Sequence, residues 1–269
     1  MRHRFFTRPT RILAAISVVA AVTLAASPAH ASSAVYAALG DSYASGDGAN
    51  SYDSASGSCY RSSRSYPALW ASGHSPAGFS FTACSGAHTS DVLASQLGGL
   101  SSSTTLVTLT IGGNDIGFVA VVGTCTLAST SICSGAVSIA ETLARTVLAT
   151  DLKNAYATIK ARAPQARLVV LGYPRLFDTS SSSCGLLGVS QANRIRINAG
   201  ADVLDSVIAS SAAAAGATFV DVRGAFSGHG VCGSSPWING PTLPVQNSYH
   251  PNATGYANGY LPGLNAVTG

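Results

Sequence analysis

The chain has 269 residues, enough for one sizeable domain, with 15 basic and 11 acidic side chains and a formal charge of +4 at pH 7. Four of the basic residues are arginines within Met1 to Arg11, where no acid stands; removing these four from 15 leaves 11 basic against 11 acidic, a net charge of zero. That balance excludes the basic surface that nucleic acid requires and the Lys/Arg cluster that anchors a protein to anionic lipid.

In chain order, the arginine-rich start runs into a largely apolar stretch, Ile12 to Ala26, and then the small residues Ala29-His30-Ala31. This predicts a secretory signal peptide over 1–31, removed near Ala31, because fifteen residues are too few to favour a membrane span. The domain then covers 32–269, and the protein is expected to be extracellular. A first β run, Val35 to Leu39, delivers Gly40-Asp41-Ser42-Tyr43-Ala44-Ser45-Gly46, a serine in a glycine-rich turn. A strand ending on such a turn exposes the hydroxyl at the carboxyl edge of a sheet. Asp47 to Arg64, rich in Ser, Gly and Tyr, reads as a loop beside it. A second β run at Phe79 to Thr82 leads into Ala83-Cys84-Ser85-Gly86-Ala87, and a third at Leu106 to Ile111 into Gly112-Gly113-Asn114-Asp115.

Thr124 to Ser134 reads as another loop. Glu141 to Ala163 spaces Leu148, Leu152, Tyr156 and Ile159 at four, four and three, which predicts a helix stopped by Pro164. Arg167 to Leu171 is a fourth β run. Ser190 to Ala215 places Val203, Leu204, Val207 and Ile208 on one helical face ahead of Gly216, and Thr218 to Val222 is a fifth β run. Phe226 to Gln246, rich in Gly and Pro, is a loop, and Ser248-Tyr249-His250-Pro251-Asn252 with Gly255 comes after it. Strands alternating with helices predict an α/β domain with a parallel sheet covered on both faces.

Serine, glycine, asparagine and histidine in those four blocks resemble the SGNH (GDSL-type) hydrolases over nearly the whole of 32–269, and the secreted actinomycete lipase, esterase and phospholipase A branch most closely. The resemblance implies a flavodoxin-like three-layer α/β/α sandwich with five parallel strands. It implies Ser42 as nucleophile and His250 as its base, since a hydroxyl is a weak nucleophile until a base takes its proton. It assigns the oxyanion donors to the Ser42 N–H, the Gly86 N–H and the Asn114 amide; glycine lets the backbone approach without a Cβ, and asparagine is an uncharged donor. His88 and His229 are read as structural, and Asp115 as a brace for its turn.

One position departs from the family pattern. Many members carry an aspartate three residues before the histidine; here that residue is Asn247, and no Asp stands beyond Asp221. The group that orients His250 is therefore an amide or a backbone carbonyl, with Asn247 and Ser248 as the candidates. Six cysteines fit an oxidising compartment and allow 15 pairings; proximity and the resemblance suggest Cys59–Cys84, Cys125–Cys133 and Cys184–Cys232. Asn252-Ala253-Thr254 matches a glycosylation sequon, but the asparagine is expected to cap the final helix. No cofactor or metal is implied.

The expected function is lipolytic ester hydrolysis by a monomer that takes a small-molecule or lipid ester and touches lipid interfaces only transiently, without a stable membrane anchor. Deacetylation of a polysaccharide on the same site is the alternative. Tyr43, Tyr52, Tyr60 and Trp237 are the aromatic candidates for lining an acyl channel or stacking on a sugar. A non-catalytic binding protein on the same fold is the third reading, supported only by the missing acid.

Overall fold

The computed structural model describes residues 1–3, 34–185 and 188–269. The leader expected over 1–31 lies outside them apart from its first three positions, and the fold is carried by the unit that ends at Gly269. The five apolar runs form five strands: β1 (Val35–Gly40), β2 (Gly78–Phe81), β3 (Leu106–Thr110), β4 (Arg167–Leu171) and β5 (Thr218–Val220). All pair in parallel, in the order β2-β1-β3-β4-β5, so β1 sits between β2 and β3, with Ala38 opposite Phe81 on one side and Thr108 on the other. Burial on both faces is why β1, β3 and β4 read as unbroken apolar runs. The exceptions are Thr108 and Thr110, fully buried, whose hydroxyls pair with those of Tyr36 at 2.7 Å and Tyr66 at 3.0 Å.

Helices cover the sheet as a three-layer sandwich. α2 (Tyr66–His74) packs on α8 (Leu261–Thr268), and α8 on β5. α5 (Thr130–Leu143) runs through a wider turn at Ala144–Leu148 into α6 (Ala149–Arg162), and both lie along α7 (Gln191–Ala214), which packs on β4 and β5. The helix ends obey their local signals. α6 stops two residues before Pro164, whose ring disfavours helical backbone at the preceding position. The Ser190 hydroxyl accepts from Asn193 N–H at the start of α7, and Gly216 stands just beyond its end in a left-handed conformation at φ 63°. Asn252 caps the last helical segment, its Oδ1 accepting from Gly255 N–H at 3.0 Å.

One segment differs from its sequence reading. Thr124 to Ser134 is not a loop: α4 (Phe118–Leu127) and α5 meet at a corner around Ala128 and Ser129, where Cys125 and Cys133 are bonded and completely buried. The small polar residues that suggest a loop lie on the outer sides of two packed helices, and tertiary packing overrides their weak helix propensity.

Candidate active site

Strand order 2-1-3-4-5 reverses direction between β1 and β3, and the crevice at that reversal, at the carboxyl ends of the strands, is where sheets of this kind bind ligands. The turn after β1 carries Ser42, the turn after β2 carries Gly86, and the turn after β3 carries Asn114. Three residues far apart in sequence are thus neighbours because their strands are hydrogen-bonded neighbours. Each turn is tied to the next: Asp41 N–H donates to Thr110 O at 2.9 Å and Cys84 N–H to Gly40 O at 2.9 Å. Gly40 itself sits at φ 129°, where a Cβ would run into the Thr110 carbonyl.

Ser42 opens the short helix α1 (Ser42–Ser45), capped by the Asp41 carboxylate accepting from Tyr43 N–H at 2.9 Å. The Ser42 hydroxyl lies 2.7 Å from His250 Nε2, and His250 Nδ1 lies 3.1 Å from the Ser248 carbonyl. A carbonyl only accepts, so Nδ1 carries the ring proton and Nε2 turns its lone pair to the hydroxyl. Burial pushes His250 down from its usual range to about 4, outweighing the backbone contacts that favour the charged ring, so the imidazole is neutral at neutral pH. Asn247 plays no direct part in this: its Oδ1 accepts from Tyr52 OH at 2.7 Å. Tyr249, at φ 61°, makes the turn that brings the ring back over Ser248 O.

The donors converge on the same crevice. Among the described residues, neither the Ser42 N–H nor the Gly86 N–H donates to another protein group. Asn114 spends one amide hydrogen on Ala87 O at 2.9 Å, which aims its head group and leaves the other free. Gly86 is at φ 76°, and a Cβ there would meet nothing within 4 Å. Glycine is therefore called for by the left-handed backbone, and no protein atom crowds the position, so the side on which an oxyanion would approach is open. Asp115 accepts from Thr89 N–H and its hydroxyl, bracing the Asn114 turn against α3 (Thr89–Asp91), which begins three residues after Gly86.

Three residues of the site carry no signal in the sequence reading. Asp47 accepts from the Ser85 hydroxyl, holding the residue before Gly86 against the end of α1; burial pushes its carboxyl up to about 7. Tyr173, just past β4, accepts from Gly113 N–H at 3.0 Å and donates to the Asp41 carboxylate, joining the nucleophile turn to the Asn114 turn. Gln96 clamps both backbone groups of Gly40, at 2.7 and 2.9 Å. Position at the carboxyl edge of a strand is the one clue that could have singled out Tyr173.

Disulfides frame the crevice: Cys59–Cys84 lies beside the Gly86 turn, Cys125–Cys133 joins α4 to α5, and Cys184–Cys232 ties the segment before α7 to the loop that leads to His250. The cleft has a volume of about 530 Å³, and its walls come from α4 and from Pro241, Val245 and Tyr249. Of the four aromatic candidates only Tyr43 lines it. Tyr52 and Tyr60 pack edge-to-face on each other, and Trp237 stacks on His229, whose Nδ1 lies 2.8 Å from Ser235 O. His88 lines a separate polar pocket with Asp115 and Asp151.

A hydroxyl facing a neutral imidazole, beside two uncommitted N–H groups and an amide, can attack an acyl carbonyl and hold the resulting oxyanion. Comparisons with known proteins agree with that chemistry. The family model described as "GDSL-like Lipase/Acylhydrolase family" matches residues 38–257. A lipase of Streptomyces rimosus is 48% identical over 215 residues, covering 80% of each chain. The crystal structure of an extracellular lipase from Streptomyces rimosus superposes with a TM-score of 0.84 at 51% identity, covering 87% of this chain and all of that one. The structure of phospholipase A1 from Streptomyces albidoflavus gives the same TM-score at 47% identity, covering 87% of this chain and 99% of that one.

Proposed function

The chain belongs to the GDSL-like lipase/acylhydrolase family, and on that premise we propose that it is a secreted serine hydrolase of lipid esters working through a Ser42–His250 dyad. The observation that carries this reading is the 2.7 Å contact between Ser42 Oγ and a neutral His250 Nε2 at the floor of a mostly apolar cleft. Ser42 Oγ attacks the acyl carbonyl and its proton passes to Nε2. The carbonyl oxygen becomes an oxyanion that accepts from Ser42 N–H, Gly86 N–H and Asn114 Nδ2, donors already in place before charge develops. The imidazolium, held by the Ser248 carbonyl at Nδ1, returns the proton to the departing alkoxide and leaves an acyl-serine. Water, deprotonated by the same imidazole, then attacks the acyl-serine through a second oxyanion and releases the acid.

Export through a leader ending near Ala31 belongs to this proposal. It rests on the arginine-rich start with its apolar stretch, and on the extracellular relative. Polysaccharide deacetylation is disfavoured, because similar proteins are a lipase and a phospholipase A1, and Tyr52, Tyr60 and Trp237, three of the four candidate rings, do not line the cleft.

A fluorophosphonate probe, which reacts only with an activated serine, tests the dyad. The expected result is one adduct per chain, on the peptide that contains Ser42, together with hydrolysis of phosphatidylcholine or triacylglycerol. Absence of labelling in folded protein would leave the binding-protein reading in its place.

A further inference from the structure

The substrate cleft contains a glycine that the fold does not require. Gly123 lies in the interior of α4, where glycine is less favourable than alanine. Its backbone is not left-handed, and a Cβ built there meets no atom within 4 Å, so neither conformation nor packing calls for it. It does line the cleft, on the same helical face as Phe118, Val119, Val122, Thr126 and Leu127. We propose that this face of α4 is the wall along which the acyl chain of the substrate lies, and that Gly123 is the clearance that lets a medium or long chain pass. The inference rests on the reading of Ser42 as nucleophile.

The placement of α4 gives the wall its direction. Gly117 N–H donates to Asn114 O at 2.9 Å and Phe118 N–H to Gly113 O at 3.1 Å, so the helix starts at the oxyanion turn and leads away from it. From Phe118 to Leu127 it rises about 14 Å, the reach of an acyl chain of roughly ten carbons. Apart from Thr126 the residues of this face are apolar or glycine, and the Thr126 hydroxyl is turned back onto Val122 O at 2.8 Å. The far end is open rather than capped: Leu127, the last residue of the wall, is 92% exposed. A chain longer than the wall therefore emerges instead of being stopped. The Cys125–Cys133 bond on the other side of α4 holds the wall to α5. Gly123 stands about 8 Å along it from Phe118, roughly the middle. A large side chain there would close the channel beyond about six carbons.

The test is kcat/KM for acetyl, butyryl, octanoyl, lauroyl and palmitoyl nitrophenyl esters with the wild type, Gly123→Phe, Gly123→Leu and Ala120→Phe, with Ser42→Ala as background. Ala120 is exposed on the same helix but does not line the cleft. The wild type is expected to prefer octanoyl or longer chains. In Gly123→Phe the ratio of lauroyl to butyryl turnover should fall roughly a hundredfold, the loss of binding to about four methylenes, and in Gly123→Leu by less. In Ala120→Phe the ratio should stay as in the wild type. An unchanged ratio in both Gly123 variants, each shown to be folded by its thermal transition, overturns the proposal, as does a wild type confined to acetyl esters. Wild-type turnover no higher than that of Ser42→Ala sinks the nucleophile reading instead, and is seen before any ratio is taken.

Discussion

The turns after β1, β2 and β3 carry Ser42, Gly86 and Asn114 within a few residues of a hydrogen-bonded strand end, whereas His250 arrives on a long irregular connection that begins after Val220. The first region is positioned by sheet register, backbone to backbone, and by Gln96 and Tyr173 bonded to its main chain. The second is held by scattered contacts: Tyr43 OH donates to Tyr249 O at 2.6 Å, Asn239 N–H to His250 O at 2.9 Å, and one disulfide ties in Cys232. The proposed nucleophile and oxyanion donors thus belong to the sheet-bound core of the domain. The proposed base depends instead on an irregular segment held by individual bonds rather than by sheet register.

That contrast can be broken at several points. Removing the base itself, His250→Ala, should lower kcat by about 10⁴- to 10⁶-fold, leaving catalysis by the oxyanion donors alone. A smaller loss in a steady-state assay with purified variant would mean that another group deprotonates Ser42. Asn114→Ala removes one donor from the core region and should cost about 10²- to 10³-fold in kcat with little change in KM. A loss confined to KM would place Asn114 in substrate binding instead.

Tyr43→Phe probes the tether of the loop. It removes one hydrogen bond of about 1 kcal/mol and should reduce kcat roughly fivefold, with thermal stability changed far less than in a core substitution. Acid titration reads the same tether without mutation. Because burial depresses the His250 pKa, the ring stays neutral and competent down to about pH 4, so its own titration should appear as a rise in kcat/KM centred near that pH. A pH–rate profile that lacks the limb near pH 4 would show a solvated ring, and hence a loop that swings away from Ser42 in solution. The smallest effect belongs to Asn247→Ala, since the Ser248 carbonyl and not the Asn247 side chain faces Nδ1: about threefold or less in kcat, with a modest loss of stability from the freed Tyr52 hydroxyl. A loss comparable to that of His250→Ala would overturn the carbonyl arrangement.

The same division governs how much could be read from residue order. Ser42, Gly86 and Asn114 are legible because each comes just after an apolar run, and a parallel sheet gathers the turns at its strand ends along one edge. The helix ends at Pro164 and Gly216 are equally local. The partner of His250 is not: Asn247 and Ser248 are both plausible until the left-handed Tyr249 backbone turns the ring toward one of them. Asp47, Tyr173 and Gln96 escape notice because each acts through a bond to a residue 38, 132 or 56 positions away. Composition misleads at Thr124 to Ser134, where burial of two bonded cysteines keeps small polar residues helical.

Family and fold class were therefore determined by the sequence alone, and the residues proposed as nucleophile, base and oxyanion donors were singled out by it, since all of these depend on short-range patterns: apolar runs, turn glycines, and the order of four blocks along the chain. The group that orients His250, the bracing of the turns and the course of the cleft along α4 were decided only by the tertiary structure. These depend on which surfaces meet when helices pack on the sheet, and long-range packing leaves no periodic trace in the chain.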